Sequence, residues 1–449
     1  MKRYLMRGGQ APIDAKTPKM ITERNTIGNN SGNLLYLFGV YRTLLREDVT
    51  IDMDLYQAEK VLYSDKDIDE INEKYDAYIC PLADAFRDDF NGKLGNYARF
   101  FSKLKIPVYV IGMGLRAPSF DDITNLKFVF DENAKKFVKA VTNKGSMLGL
   151  RGEITGSYLH KLGFTEGTDY QAIGCPSMYS FGRQLNMRQN VKFTENGVLS
   201  PDTRLVYNLS SKTPEQVVKF LIEQGNRFPE HYATNQAYDE MLLLHYGIEF
   251  NPSQPIDRDI FPWNVDHELI RSDRYKMFIN AKPWFDFMKT MDLSIGCKLH
   301  GNVAAVISGC PAIFMPIDGR MIELINMHQF PHIAVADLKP NDTIESVMER
   351  VDMKSYIDAQ PRNFDRFISF LHKNKLPTIY DEDMNLTEAP LDKQMSTIEY
   401  PLVTNILHCD RAEMIARNNE LMASMDAKVR ELKSKVSELK TKIGALKKK

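Results

Sequence analysis

The segment Asp292-Leu293-Ser294-Ile295-Gly296-Cys297-Lys298-Leu299-His300-Gly301 sets an ammonium and an imidazole two positions apart, where an apolar strand gives way to small residues. A helix opening there presents unpaired backbone N–H groups, which favour an anion. Lys298, His300 and the helix start together read as a pocket for a carboxylate or phosphate with a proton donor inside it. The same spacing also fits a histidine that only caps the helix. A second segment, Leu148-Gly149-Leu150-Arg151-Gly152-Glu153-Ile154-Thr155, ends an apolar strand on Arg151 just before a helix running to Lys161. A guanidinium there can hold an anion through two parallel hydrogen bonds. The competing reading is a salt bridge to Glu153 or to a carboxylate of another domain.

Other spacings carry less. Asp52-Met53-Asp54 has the two-residue acidic spacing of some metal-binding glycosyltransferases, a pattern common by chance, and no metal is expected. His328 and His332 stand four apart, but Pro331 interrupts any regular helix and no Glu follows the first histidine, so the zinc-protease arrangement is absent. Gly112-Met113-Gly114 is too short for a dinucleotide fingerprint and reads as a tight turn after a strand. Trp263 and Trp284 are candidates for stacking on sugar, with core packing as the alternative.

These residues need elements to hold them. Short apolar runs at 76–80, 107–111, 204–209, 292–296 and 312–315 read as buried strands. Amphipathic stretches at 32–45 and 214–224, and a small-residue stretch at 300–308, read as helices between them, the first entered through Asn29-Asn30-Ser31. Strands alternating with helices give an α/β chain with parallel sheets. A polar stretch at 189–201 divides it into a domain over 1–195 and a second over 196–405. Two doubly wound, Rossmann-like domains facing a cleft place ligands at the carboxyl ends of the strands.

Composition narrows the classes. The chain has 449 residues, 43% apolar and 26% charged, which buries a real core. Lys plus Arg at 58 against Asp plus Glu at 59 give a net charge of −1, removing the electrostatic case for a nucleic-acid partner. Five scattered cysteines form no Cys-x-x-Cys pair and fit reduced thiols in a cytosol. The first residues lack the apolar core of a secretory signal, and the most apolar stretch, 303–317, is too short to span a membrane.

Residues 406–449 form a different element. Ile415, Met422, Val429, Val436 and Ile443 fall seven apart and interleave with Met425, Leu432, Leu439 and Leu446, the a and d positions of a long helix or coiled coil. Lysines 428, 433, 435, 440, 442, 447 and 449 flank this seam. Three readings stand open: self-association against screened repulsion, peripheral contact with an anionic membrane, and no partner at all.

Taken together, the segments resemble the polysaccharide pyruvyl transferase family. The resemblance covers roughly residues 20–335. It rests on Asn25-Thr26-Ile27-Gly28-Asn29-Asn30-Ser31-Gly32-Asn33, Leu150-Arg151-Gly152-Glu153-Ile154-Thr155, Ile173-Gly174-Cys175-Pro176-Ser177, and Ser294 to Gly301 followed by Gly309-Cys310-Pro311-Ala312-Ile313-Phe314 and Asp318. It implies a GT-B-like fold and transfer of a pyruvyl ketal from phosphoenolpyruvate, as co-substrate with no cofactor, onto two hydroxyls of a glycan or lipid-linked oligosaccharide. It also implies that Arg151 and Lys298 hold the phosphoenolpyruvate anion and that His300, touching the same substrate, is the catalytic general acid. Lys298 stands where the family usually has Arg, and Asn33 where an acidic residue commonly follows the glycine. Asp318 and Glu323 are candidate bases and read equally well as solvated helix-entry carboxylates. The implied setting is the cytoplasm, with the tail allowing a peripheral place at the inner face of the membrane. Two rival expectations are a GT-B glycosyltransferase using a nucleotide sugar and a catalytically silent scaffold acting through its tail.

Overall fold

The computed structural model describes residues 1–60, 63–116, 123, 125–252, 256, 257 and 259–446. Two all-parallel sheets organise them. The first contains β1 (Lys2–Met6), β2 (Val49–Met53), β3 (Ala77–Pro81), β4 (Val108–Met113), β5 (Leu148–Leu150) and β6 (Tyr170–Ala172), in the order β2-β1-β3-β4-β5-β6. The second contains β7 (Leu205–Asn208), β8 (His231–Asn235), β9 (Tyr275–Met277), β10 (Leu293–Gly296) and β11 (Ala312–Phe314), in the order β11-β10-β7-β8-β9. Both faces of the central strands are covered by helices, so β3 and β4 are buried along their whole length and read as unbroken apolar runs rather than alternating ones. The two doubly wound domains are the GT-B-like fold expected. The helices expected near 32–45, 214–224 and 300–308 are Asn33–Leu44, Glu215–Gly225 and Leu299–Ile307.

The domains share an apolar seam. Phe38, on the helix Asn33–Leu44, packs edge-on to Phe285 of the second domain at a ring-centroid distance of 5.0 Å. Val303, Ala304 and Val306 belong to the same buried cluster as Leu35, Leu37 and Tyr179. Of residues 196–405, the part from 205 to 353 carries the second sheet and its helices, whereas the helix Ser355–Lys373 and the chain after it return to the first sheet. Asn374 there bonds both the N–H and the carbonyl of Met147, at 2.7 and 3.2 Å. Arg42, fully buried, donates to Asp392 at 2.6 Å. The return has a physical reason: Phe364, Phe367, Ile368 and Phe370 need a covered apolar face, and the flank of the first sheet supplies one.

The tail forms one helix, Arg411–Leu446, and Lys447 and Lys449 lie outside the described residues. Its first turns rest on the second domain through Arg417, which donates to the carbonyls of His245 at 3.1 Å and Thr404 at 2.9 Å. Among the described residues no helix is long and apolar enough to cross a membrane.

Candidate functional site

Strand β10 ends at Gly296, and Lys298 is the residue from which the helix Leu299–Ile307 begins. That turn is set by buried amides. Asn208, at the end of β7, accepts the Lys298 N–H at 2.6 Å and donates to Asn302 at 2.6 Å. Asn302 in turn accepts from Ser294 at 2.8 Å and donates to the carbonyls of Gly296 and Ile313. Strand, turn and helix are locked together, and Lys298 and His300 project from the locked corner. The Lys298 ammonium has no hydrogen-bond or ion-pair partner among the described residues.

His300 stands half-buried in the cleft wall, its ring 6.0 Å from that of Tyr36 and its Nε2 3.6 Å from Cys175 Sγ. Cys175 is fixed from behind, since His328 Nε2 accepts its backbone N–H at 2.9 Å. On the other side, a methyl group at Gly32 would lie 2.9 Å from His300 Nδ1, so only glycine leaves room for the ring. Removal from water lowers the imidazole pKa most; Arg151 and Arg320 lower it further and Asp84 opposes them, leaving it at about 3. The imidazole is therefore neutral in the empty cleft.

Arg151 comes from the first domain, at the end of β5, and is 4% exposed. Its Nε donates to the Gly112 carbonyl at 3.0 Å, and its side chain passes over Gly114, where any Cβ would strike it. Nη2 has no protein partner among the described residues. A buried guanidinium nitrogen without an acceptor costs on the order of 1–3 kcal/mol, which an incoming anionic oxygen recovers. No salt bridge to Glu153 forms; Arg151 instead shares with Lys298 and His300 a hollow of about 250 Å³ lined also by Ser210, Lys212 and Asp318. The three residues singled out in the sequence thus meet across the cleft, one from one domain and two from the other.

A polar hollow of about 460 Å³ adjoins the first and shares Asn30, Asn33, Asp84, Arg116 and Arg320 with it. Asn25, Asn29, Tyr36, Tyr56 and Glu59 line its far part. Glu59 binds Arg7 at 2.5 Å and Lys93 at 3.0 Å, and these cations outweigh burial to hold its pKa at about 2. Between the hollows Asp84 gathers Arg320 at 2.7 Å, Arg87 at 3.3 Å and Arg116 Nε at 2.9 Å. Despite full burial, the three guanidinium groups keep this carboxyl well below the usual range. The loop before the helix Asn33–Leu44 closes over the junction: the Ser31 N–H donates to the Gln236 carbonyl at 2.8 Å, joining the domains. Asn33 ties the loop to itself, donating to the Ile27 carbonyl at 2.9 Å.

Of the remaining sequence candidates, Asp318 lines the first hollow but is tied down, and the others fall elsewhere. Asp318 caps the helix Gly319–His328 and pairs with Arg320. Glu323 is buried behind Gly152, accepting from the Thr155 N–H at 2.6 Å and hydroxyl at 2.9 Å, with burial raising its pKa to about 7. Neither is a free base in the cleft. Asp52 is held by Arg3 and Tyr75, and Asp54 by the Tyr78 hydroxyl and the N–H groups of Gly8 and Tyr56. Trp284 is fully buried and stacked on Phe278, and neither it nor Trp263 lines the two hollows. A larger hollow, about 730 Å³, lies beside Phe278, Phe287 and Leu402 and contains none of Arg151, Lys298 and His300. Sequence reading missed Arg7, Glu59, Asp84, Arg116 and Arg320, whose partners stand far apart in the chain.

The model of the family described as "Polysaccharide pyruvyl transferase" matches residues 30–319. No curated protein sequence matches. Among solved structures, the chain is similar to UDP-GlcNAc 2-epimerase from Neisseria meningitidis bound to UDP-GlcNAc, at 9% identity and a TM-score of 0.41, over 83% of this chain and 100% of that one. It is similar to UDP-GlcNAc 2-epimerase from Methanocaldococcus jannaschii in complex with UDP-GlcNAc and UDP, at 14% identity and a TM-score of 0.40, over 83% and 99%. Sucrose-phosphate synthase from Thermosynechococcus elongatus follows at 9% identity and a TM-score of 0.35, over 82% and 95%.

Proposed function

The chain belongs to the polysaccharide pyruvyl transferase family and is a transferase, and we propose that it moves a pyruvyl ketal from phosphoenolpyruvate onto two hydroxyls of a sugar in a cell-surface polysaccharide precursor, with His300 as general acid. The observation that carries this is the buried, unpartnered Nη2 of Arg151 in one hollow with Lys298 and His300. Arg151 and Lys298 hold the phosphate and carboxylate; lysine does so as a point charge rather than a fork. The bound anion offsets the fields of Arg151 and Arg320 and brings a proton onto His300. His300 gives that proton to the methylene carbon, leaving a cation-like centre at the adjacent carbon. A sugar hydroxyl adds there and returns its proton to the imidazole. The second hydroxyl then displaces inorganic phosphate, which carries off the other proton. This scheme needs no separate carboxylate base, in keeping with the tied positions of Asp318 and Glu323. The adjoining hollow, with its amides, tyrosines and ionised Glu59, suits the hydroxyls of a glycan or lipid-linked acceptor. The setting that goes with such a precursor is the cytoplasm.

Thermal unfolding separates this function from its rivals. Phosphoenolpyruvate at a hundredfold excess over Kd adds about 2.7 kcal/mol and raises Tm, while UDP leaves it unchanged. Stabilisation by UDP alone would indicate a nucleotide-sugar glycosyltransferase, and none by either ligand a silent scaffold.

A further inference from the structure

The helix Arg411–Leu446 has two faces with opposite fates. Arg417 and Ser424, seven apart, are buried at 4% and 6%, with Glu420 and Leu421 half-buried beside them. These positions form the docked face of a helix that rests on the helices Pro18–Glu23 and Tyr238–Tyr246. The a and d positions point away from it: at 100° per residue the seam midline lies about 130° round the helix from the docked face. Ile415, Met422, Met425, Val429, Leu432, Val436 and Leu439 are accordingly 46–61% exposed. Every described residue from Lys428 to Thr441 is exposed, so the distal half stands clear of the body with an uncovered apolar stripe. Among the described residues nothing covers it.

We propose that this seam pairs with the same seam of a second copy, as a parallel two-stranded coiled coil. Two observations select that occupant. The distal heptads place Val429 and Val436 at a and Leu432 and Leu439 at d, and β-branched a with leucine d is the combination that favours parallel dimers. From Met422 to Leu446 the stripe keeps a two-in-seven pattern over about three and a half heptads and contains no aromatic residue, whereas a helix lying in a lipid interface has a wider apolar face with Trp or Phe. From Met422 to Leu446 the strip is about 37 Å long and about 10 Å wide. Two such strips bury roughly 700 Å², the scale of a weak, reversible pairing. The flanking lysines oppose pairing, but each exposed like-charge contact is small and screened by salt. Lys435 is also neutralised within its own helix by Glu431 at 2.5 Å.

Those lysines make the proposal testable, because salt moves the two occupants in opposite directions. Sedimentation velocity of the full chain at about 20 µM should give a dimer whose Kd tightens roughly tenfold or more as NaCl rises from about 50 to 500 mM. Val436→Glu with Leu439→Glu, both at exposed positions outside the cleft, should leave a folded monomer with an unchanged Tm. A wild type that stays monomeric at 500 mM NaCl overturns the proposal, as does a dimer that survives the double variant. Retention by vesicles of phosphatidylglycerol and phosphatidylcholine at 50 mM but not 500 mM NaCl, by a protein monomeric in solution, would give the seam to a membrane and equally overturn it.

Discussion

His300 meets two demands that pull against one another. In the proposed reaction it must carry a proton to serve as an acid, yet burial, Arg151 and Arg320 hold its pKa at about 3. In that proposal the substrate's negative charge both offsets the two arginines and attracts a proton against the larger effect of burial. The imidazole is neutral above pH 3 without ligand, and a bound dianion raises its pKa, so binding takes up a proton wherever the pH lies between the two values. Affinity then falls as pH rises through that window. Calorimetry near pH 6, in buffers of different ionisation enthalpy, should show up to one more proton taken up by wild type than by His300→Gln. Equal uptake would remove His300 from the anion's field. The positions of Arg151, Lys298 and His300 were legible because each stands at a strand end, where helix polarity and charge act locally. Asp84 was not, since the charges that hold it ionised come from Arg87, Arg116 and Arg320, the last 236 residues away along the chain.

At the scale of elements, the site depends on two helix starts meeting across the cleft. The helix Asn33–Leu44 begins beside His300 with Gly32 between them, and a Cβ there would fall 2.8 Å from Gln236 Oε1 and 2.9 Å from both Asn30 Oδ1 and His300 Nδ1. All three neighbours are ends of side chains, so they can yield without unfolding anything, but the imidazole then leaves its place. Gly32→Ala should lower the transfer rate about a hundredfold, as expected for a displacement near 1 Å, while shifting Tm by less than about 2 °C. Full activity in the variant would show that the fit at Gly32 is unimportant. Strands β3, β4, β7, β10 and β11 were readable from their apolar runs, with bounds within a residue or two of the expected ones, whereas β1, β2, β6, β8 and β9 were not. The buried amides Asn208 and Asn302 were not foreseen, because a polar residue inside an apolar run signals a network only once its partner strand is known.

At the scale of the molecule, the cleft exists because neither domain holds a complete site. The first contributes Arg151 and the second Lys298 and His300. The alternation of strands and helices announced two such domains. It did not announce that the helix Ser355–Lys373 returns to the first sheet, since an amphipathic helix states that it needs an apolar surface and not which one. That return, with Arg42 clamped on Asp392 and Asn374 on Met147, braces the domain carrying Arg151 from behind. The central claim is that this shared hollow grips phosphoenolpyruvate from both sides and protonates it from one. Titration calorimetry of phosphoenolpyruvate into wild type, Arg151→Ala and His300→Gln tests it most directly. Saturable binding should be present in wild type, fall at least a hundredfold with Arg151→Ala, and survive in a His300→Gln protein that no longer turns over. Undiminished binding to the Arg151 variant, or none to wild type, would contradict the account.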